Sequence, residues 1–165
     1  MLKWARAITF GGLLAGSLDI VSAFAAFVPH GASEAGILRF IASGLIGHAA
    51  LQGGAPAAAL GLAVHFGLTT IMAAVFVVAA LHFEVLIRRP WLSGLTYGVL
   101  IWGVMNYVVV PLSGVASWTP DKGWALVGAL LGHCFYVGVP IAFAAHAELG
   151  AQHAKLADHT ISERA

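Results

Sequence analysis

Four polar side chains stand in long apolar runs where lipid would be their alternative neighbour: Asp19, His65, Asn106 and His133. An ionisable group at the centre of a bilayer costs about 2.5–3.5 kcal/mol on insertion scales, so a chain that keeps one there is expected to use it. One carboxyl and two imidazoles are suited to proton transfer. Burial and mutual attraction act in opposite senses on an acid–imidazole pair, which can then titrate near neutral pH. Asn106, the only asparagine in the sequence, adds a neutral donor and acceptor. A plainer reading makes each residue a helix-to-helix tie: Asp19 bonded to His65, His133 or Asn106 without chemistry, and Asn106 as interhelical glue. Two histidines on different helices of a bundle are also the ligand set of a bis-histidine haem b electron carrier, which gives His65 and His133 a further reading as axial ligands.

The elements that must position these residues follow from hydropathy. Of 165 residues, 60% are apolar and 9% charged, against roughly 25% charged in an average soluble domain. A membrane-spanning helix needs about 20 mostly apolar residues, and four stretches qualify: about residues 7–28, 57–81, 91–112 and 124–145. The expected fold is therefore all-α, a single transmembrane domain over residues 1–146 built as a four-helix bundle, followed by a polar tail over 147–165. Between the first two spans, about residues 33–52 hold Glu34 and Arg39 ahead of a short apolar run. That segment is too short and too charged to cross, and reads as a re-entrant or interfacial helix.

Four spans put Lys3, Arg6, Arg88, Arg89, Lys155 and Arg164 on one side and leave only Arg39 and Lys122 on the other. The positive-inside rule then places both termini in the cytoplasm, with the chain in a cytoplasmic membrane. Trp4, Trp91, Trp118 and Trp124 fall at span ends, as an interfacial aromatic belt requires. Lys3 and Arg6 before an apolar run ending in Ala23-Phe24-Ala25 also have the outline of a signal peptide, but the run continues beyond it and contains Asp19, which fits a retained span.

At ~1.5 Å rise per residue, with spans alternating in direction, all four polar residues land within roughly 7 Å of the midplane, in one layer. Rows of small residues lead to them: Gly12 and Gly16 towards Asp19; Ala57, Gly61, His65 and Thr69; Gly94, Gly98, Trp102 and Asn106. Such rows let helices approach closely, so they are expected to face the interior of the bundle. Pro111 and Pro140 each remove one helical hydrogen bond and free a carbonyl about a turn earlier, near Tyr107 and Tyr136, as acceptors for water, an ion or a ligand.

Several classes of function are disfavoured. A net charge of +1 offers no field for nucleic acid. With a single cysteine, Cys134, no internal disulfide or C-x-x-C metal or redox pair exists. There is no nucleophile elbow, phosphate loop or H-E-x-x-H, so no catalytic residue and no metal site is assigned. His82 and His146, on the same two helices as His65 and His133, would make a second bis-histidine layer, but they sit near the interface beside Glu84 and Glu148. His30, His153 and His159 read as solvated, and His48 would join the polar layer only if its segment is re-entrant.

The segments Gly-Leu-Leu-Ala-Gly-Ser-Leu-Asp (residues 12–19), Ile-Ala-Ser-Gly-Leu-Ile-Gly (41–47) followed by Gly53-Gly54, Leu-Gly-Leu-Ala-Val-His-Phe (60–66), Met-Asn-Tyr-Val-Val-Val-Pro-Leu-Ser (105–113) and His-x4-Gly-x-Pro-Ile-Ala (133–142) together resemble a family of small bacterial four-span membrane proteins. The resemblance covers about residues 12–145. It implies a bacterial cytoplasmic membrane protein and places Asp19, His65, Asn106 and His133 together, without bringing a biochemical activity. The expected function is a polar midplane site, in a channel or transporter, that binds or passes a proton, ion or small solute. The alternatives are the haem b carrier and a structural or accessory subunit with no ligand. The lipid bilayer is the expected surrounding and a homodimer a reasonable assembly for so small a bundle.

Overall fold

The structure, a computed structural model, describes residues 2–115, 119 and 121–162, with side chains described as far as Gly150. Trp118 and Arg164, used above for the aromatic belt and the charge bias, lie outside the described residues, as do the side chains of His153, Lys155 and His159. All regular structure among the described residues is helical: α1 (Lys3–Phe27), α2 (Glu34–Ile46), α3 (Ala49–Gln52), α4 (Gly54–His82), α5 (Val85–Arg88), α6 (Pro90–Val104), α7 (Val110–Leu112), α8 (Gly123–Gly132) and α9 (Val139–Ser162). Four stretches are long and apolar enough to cross a membrane, Lys3–His30, Gly54–His82, Pro90–Leu112 and Gly123–Gly150. They match the four stretches expected from hydropathy, the third almost residue for residue and the others a few residues longer. The fold is an all-α bundle of four membrane-length helices.

Spans 3 and 4 are composite. A π-helical turn, Met105–Val109, joins α6 to α7, and another, His133–Gly138, joins α8 to α9. Both precede a proline, and the reason is covalent. Pro111 and Pro140 have no N–H, and their rings crowd the carbonyl four residues back. The chain absorbs this by widening the preceding turn, so that Val110 N–H reaches the Met105 carbonyl and Val139 N–H the Cys134 carbonyl. The break expected from each proline is thus taken up as one wide turn.

The end of the bundle that carries Lys3, Arg6, Arg88 and Arg89 is its basic end; the opposite end carries α2. α1 packs against α4 and α9, and α6 packs against α9 and the π turn before it. These contacts are backbone-close because the residues at them have no side chain. A Cβ on Gly12 would lie 2.7 Å from Thr70 Cα, one on Gly94 2.7 Å from Val139 Cα, and one on Gly98 would collide with Cys134 Cα. The basic half is filled by Ala7, Ala73, Phe76, Val77, Ala80, Ile141, Ala145 and Leu149. Two further ties close it. Tyr97 Oη donates to the Met72 carbonyl at 2.7 Å, linking spans 2 and 3, and Arg6 pairs with Glu148 at 3.0 Å, linking spans 1 and 4.

Towards the α2 end the packing loosens. Among the described residues, spans 3 and 4 bury nothing between Ile101 and the end of α7, nor between the start of α8 and His133. α2 enters that half instead. Ser33 caps it, with Oγ accepting from Gly36 N–H at 3.1 Å, and Glu34 occupies its first turn. Its 13 residues are about 20 Å long, too short to cross. It lies against the flank of α4, where a Cβ on Gly61 would collide with the Leu38 carbonyl.

If backbone proximity holds spans 3 and 4 together, Gly98→Ala should cost about 1–3 kcal/mol, seen as a lower unfolding midpoint in detergent. Gly103→Ala, on the same helix with nothing within 4 Å of the added methyl, should be neutral or up to about 1 kcal/mol stabilising. Equal losses at the two positions would refute the argument.

Candidate functional site

Where the close packing of the basic half ends, the four spans leave a cavity of about 60 Å³. Its walls carry Asp19 from α1, His65 and Thr69 from α4, Met105 from span 3, and His133 and Val137 from span 4. At about 15 Å³ of such volume per water, there is room for roughly four water molecules.

α4 delivers His65 through the row expected from sequence. Ala57, Gly61, His65 and Thr69 are all buried along one side of the helix. His65 is 8% exposed, and its Nε2 lies 2.9 Å from the Gly16 carbonyl of α1. A carbonyl oxygen can only accept, so Nε2 carries a proton there and Nδ1 of the neutral ring is left as the acceptor. Gly16 makes this bond possible, since a Cβ on it would lie 2.7 Å from Thr69 Oγ1 and 2.8 Å from the Phe66 ring. His133 is held differently. Its Nδ1 donates to the Ala129 carbonyl of its own helix at 2.9 Å, which leaves Nε2 as the acceptor. Each ring is thereby fixed by a backbone carbonyl, with its second nitrogen uncommitted.

Asp19 is half-buried. Its carboxyl makes no hydrogen bond or ion pair among the described residues. The nearby hydroxyls are engaged elsewhere: Ser22 Oγ donates to the Asp19 backbone carbonyl at 2.7 Å, and Thr69 Oγ1 to the Phe66 carbonyl at 3.2 Å. An acid, two imidazole acceptors and a water-sized space thus share one cavity.

Asn106 is not on its walls. The asparagine lies inside the π turn, where its Nδ2 donates to the Trp102 carbonyl at 2.9 Å, and Met105 lines the cavity instead. His48 is exposed and outside the cavity. His82 and His146 do not face each other as a layer. His82 Nδ1 donates to the Val78 carbonyl of its own helix, whereas His146 Nδ1 donates to the Ile87 carbonyl at 2.8 Å and ties α9 to α5. Tyr97 escaped the sequence reading, although its phenol, placed within a span, needs a buried acceptor and so signals a cross-helix bond.

The residues do not fit haem. Even drug-sized ligands occupy pockets of about 300 Å³ or more, and the cavity between His65 and His133 is about 60 Å³. Among the described residues, no group of three or more His, Cys, Asp or Glu side chains is placed to hold a metal ion. No family model matches the chain, and neither a curated protein nor a solved structure is significantly similar to it.

The two histidines should differ in structural weight. His65→Ala removes a buried bond between helices and leaves a void, so a loss of about 2–4 kcal/mol is expected. His133→Ala removes a bond within one helix and should cost about 1 kcal/mol or less. Thermal unfolding in detergent ranks them, and the reverse order would contradict the packing described.

Proposed function

We propose that this chain is a multi-pass protein of a bacterial cytoplasmic membrane, both termini cytoplasmic, that binds and passes protons at Asp19, His65 and His133. The orientation rests on the charge bias, since Lys3, Arg6, Arg88 and Arg89 lie at one end of the bundle. The bacterial setting rests on the motif resemblance.

The observation that carries the reading is the Asp19 carboxyl without a protein partner among the described residues, in a cavity with two imidazole nitrogens that lack one among them as well. A tie between helices would satisfy its own acid, because an unbonded carboxyl inside the bundle costs stability without return. A proton carrier needs the opposite arrangement. Its carboxyl must be free to exchange with water, close to nitrogens able to take up a proton, in a space that excludes larger solutes. Room for roughly four waters is enough to bridge such groups with hydrogen bonds. It is small for a solute pathway, which favours the proton over the broader class of ions and small solutes.

Purified protein in proteoliposomes, driven by an imposed potential and followed with an internal pH dye, tests this. Asp19→Asn is expected to lower proton flux at least tenfold with the unfolding midpoint nearly unchanged, and His133→Ala to lower it severalfold. Flux in Asp19→Asn equal to that of the parent would exclude Asp19 as the carrier.

A further inference from the structure

The cavity between the spans offers one kind of polar group. Thr69 Oγ1 gives its proton to the Phe66 carbonyl, 3.2 Å away, and keeps only lone pairs. His65 gives its ring proton to the Gly16 carbonyl and His133 to the Ala129 carbonyl, so each neutral ring has one acceptor nitrogen left. An ionised Asp19 carboxyl only accepts. The sulfurs of Met72 and Met105 are weak acceptors, and the other lining residues are aliphatic. Among the described lining residues, no side chain therefore has an uncommitted N–H or O–H to offer when Asp19 is ionised.

Such a wall selects its occupant. An anion, or a solute rich in carbonyls, would meet lone pairs and the negative charge of Asp19. Water donates two hydrogen bonds but brings no charge to set against the carboxylate. Calcium or magnesium has the charge, yet needs ligand atoms about 2.0–2.6 Å from one point. Among the described residues, no group of three or more His, Cys, Asp or Glu side chains converges in that way. Hard cations in general prefer oxygen to the imidazole nitrogens that make up half of this acceptor set. Ammonium meets every condition. It has four N–H donors, no acceptor and a full positive charge, and its single heavy atom takes about one of the roughly four water places in 60 Å³. We infer that this site takes ammonium as a second occupant beside the proton. Its charge is set against Asp19, and its N–H groups are satisfied, directly or through the remaining waters, by His65 Nδ1, His133 Nε2 and Thr69 Oγ1. Bonds relayed by water do not require those side chains to converge on one point. The inference rests on the proton reading for Asp19 as the charged group of the site, but not on any flux.

The histidine rings report occupancy directly by nuclear magnetic resonance. Full-length protein in detergent, labelled with nitrogen-15 in its histidine rings, is held at neutral pH and constant ionic strength while ammonium chloride replaces potassium chloride. The His133 signal is assigned by its loss in His133→Ala and the His65 signal by its loss in His65→Gln. Both are expected to move saturably as ammonium replaces potassium. Tetramethylammonium, equally charged but without N–H groups and too large for the space, should move neither. Asp19→Asn should raise the ammonium concentration needed at least tenfold. Should that variant fail to fold, the three cations acting on the parent protein decide. No saturable shift when ammonium replaces potassium, an equal shift with tetramethylammonium, or an unchanged affinity in Asp19→Asn would each overturn the inference. Proton flux in proteoliposomes is measured without ammonium, so failure of the ammonium site and failure of the proton site are distinguishable.

Discussion

Contact between helix backbones is the constraint on which the rest of this bundle depends. In lipid there is no hydrophobic drive to bring apolar helices together, so association rests on close packing and interhelical hydrogen bonds. Glycine supplies the first in three seams: Gly12 and Gly16 between spans 1 and 2, Gly94 and Gly98 between spans 3 and 4, and Gly61 between span 2 and α2. Each seam fixes a register as well as a distance. The seam at Gly16 places the carbonyl that receives His65 Nε2, so one residue both admits α4 and orients the histidine.

The cavity begins where this packing is interrupted. Its walls take Met105 from one π turn and His133 and Val137 from the other, both of which prepare for a proline. A π turn carries one more residue than an α turn, widens the helix and leaves carbonyls poorly matched along the axis. Such backbone is tolerated in a membrane only where it faces protein or water. The same two prolines therefore account for the looseness of spans 3 and 4 towards the α2 end, while the alanine and glycine seams keep the basic half tight.

The architecture was legible because its signals are additive over about 20 residues: four apolar runs became four membrane-length helices, and a charged 13-residue segment became a helix too short to cross. The cavity was legible in part. Asp19, His65 and His133 line it, and the two helices carrying Asp19 and His65 keep regular α geometry there, so their rows of small residues extrapolate correctly. On span 3 the row Gly94, Gly98, Trp102, Asn106 runs into the π turn that starts at Met105. The cavity face of span 3 is set by Ile101 and Met105, one α turn apart and ahead of the widened turn, so the row drawn through Trp102 to Asn106 ran one residue off that face. Proline announces that a helix must give way, but not whether it kinks, frees a carbonyl or widens. The packing of α2 onto Gly61 was not legible, since it is a fold-back that no local pattern encodes.

The engagement of the surrounding hydroxyls and amide separates a working acid from a structural one. Ser22, Thr69 and Asn106 all lie within spans at or near the polar layer, and each turns its donor onto a carbonyl of its own helix. That habit is general for short polar side chains in helices, which find an acceptor three or four residues back more readily than across a gap. Had the polar layer existed to lock the bundle, those donors would be the natural partners for the Asp19 carboxyl, and binding it would satisfy both sides. Among the described residues, the only polar bond between helices made by a cavity-lining side chain is instead His65 Nε2 to the Gly16 carbonyl, a backbone acceptor. The tie between α1 and α4 at the cavity thus leaves the Asp19 carboxyl out, and the acid on the wall is not spent on holding the helices together.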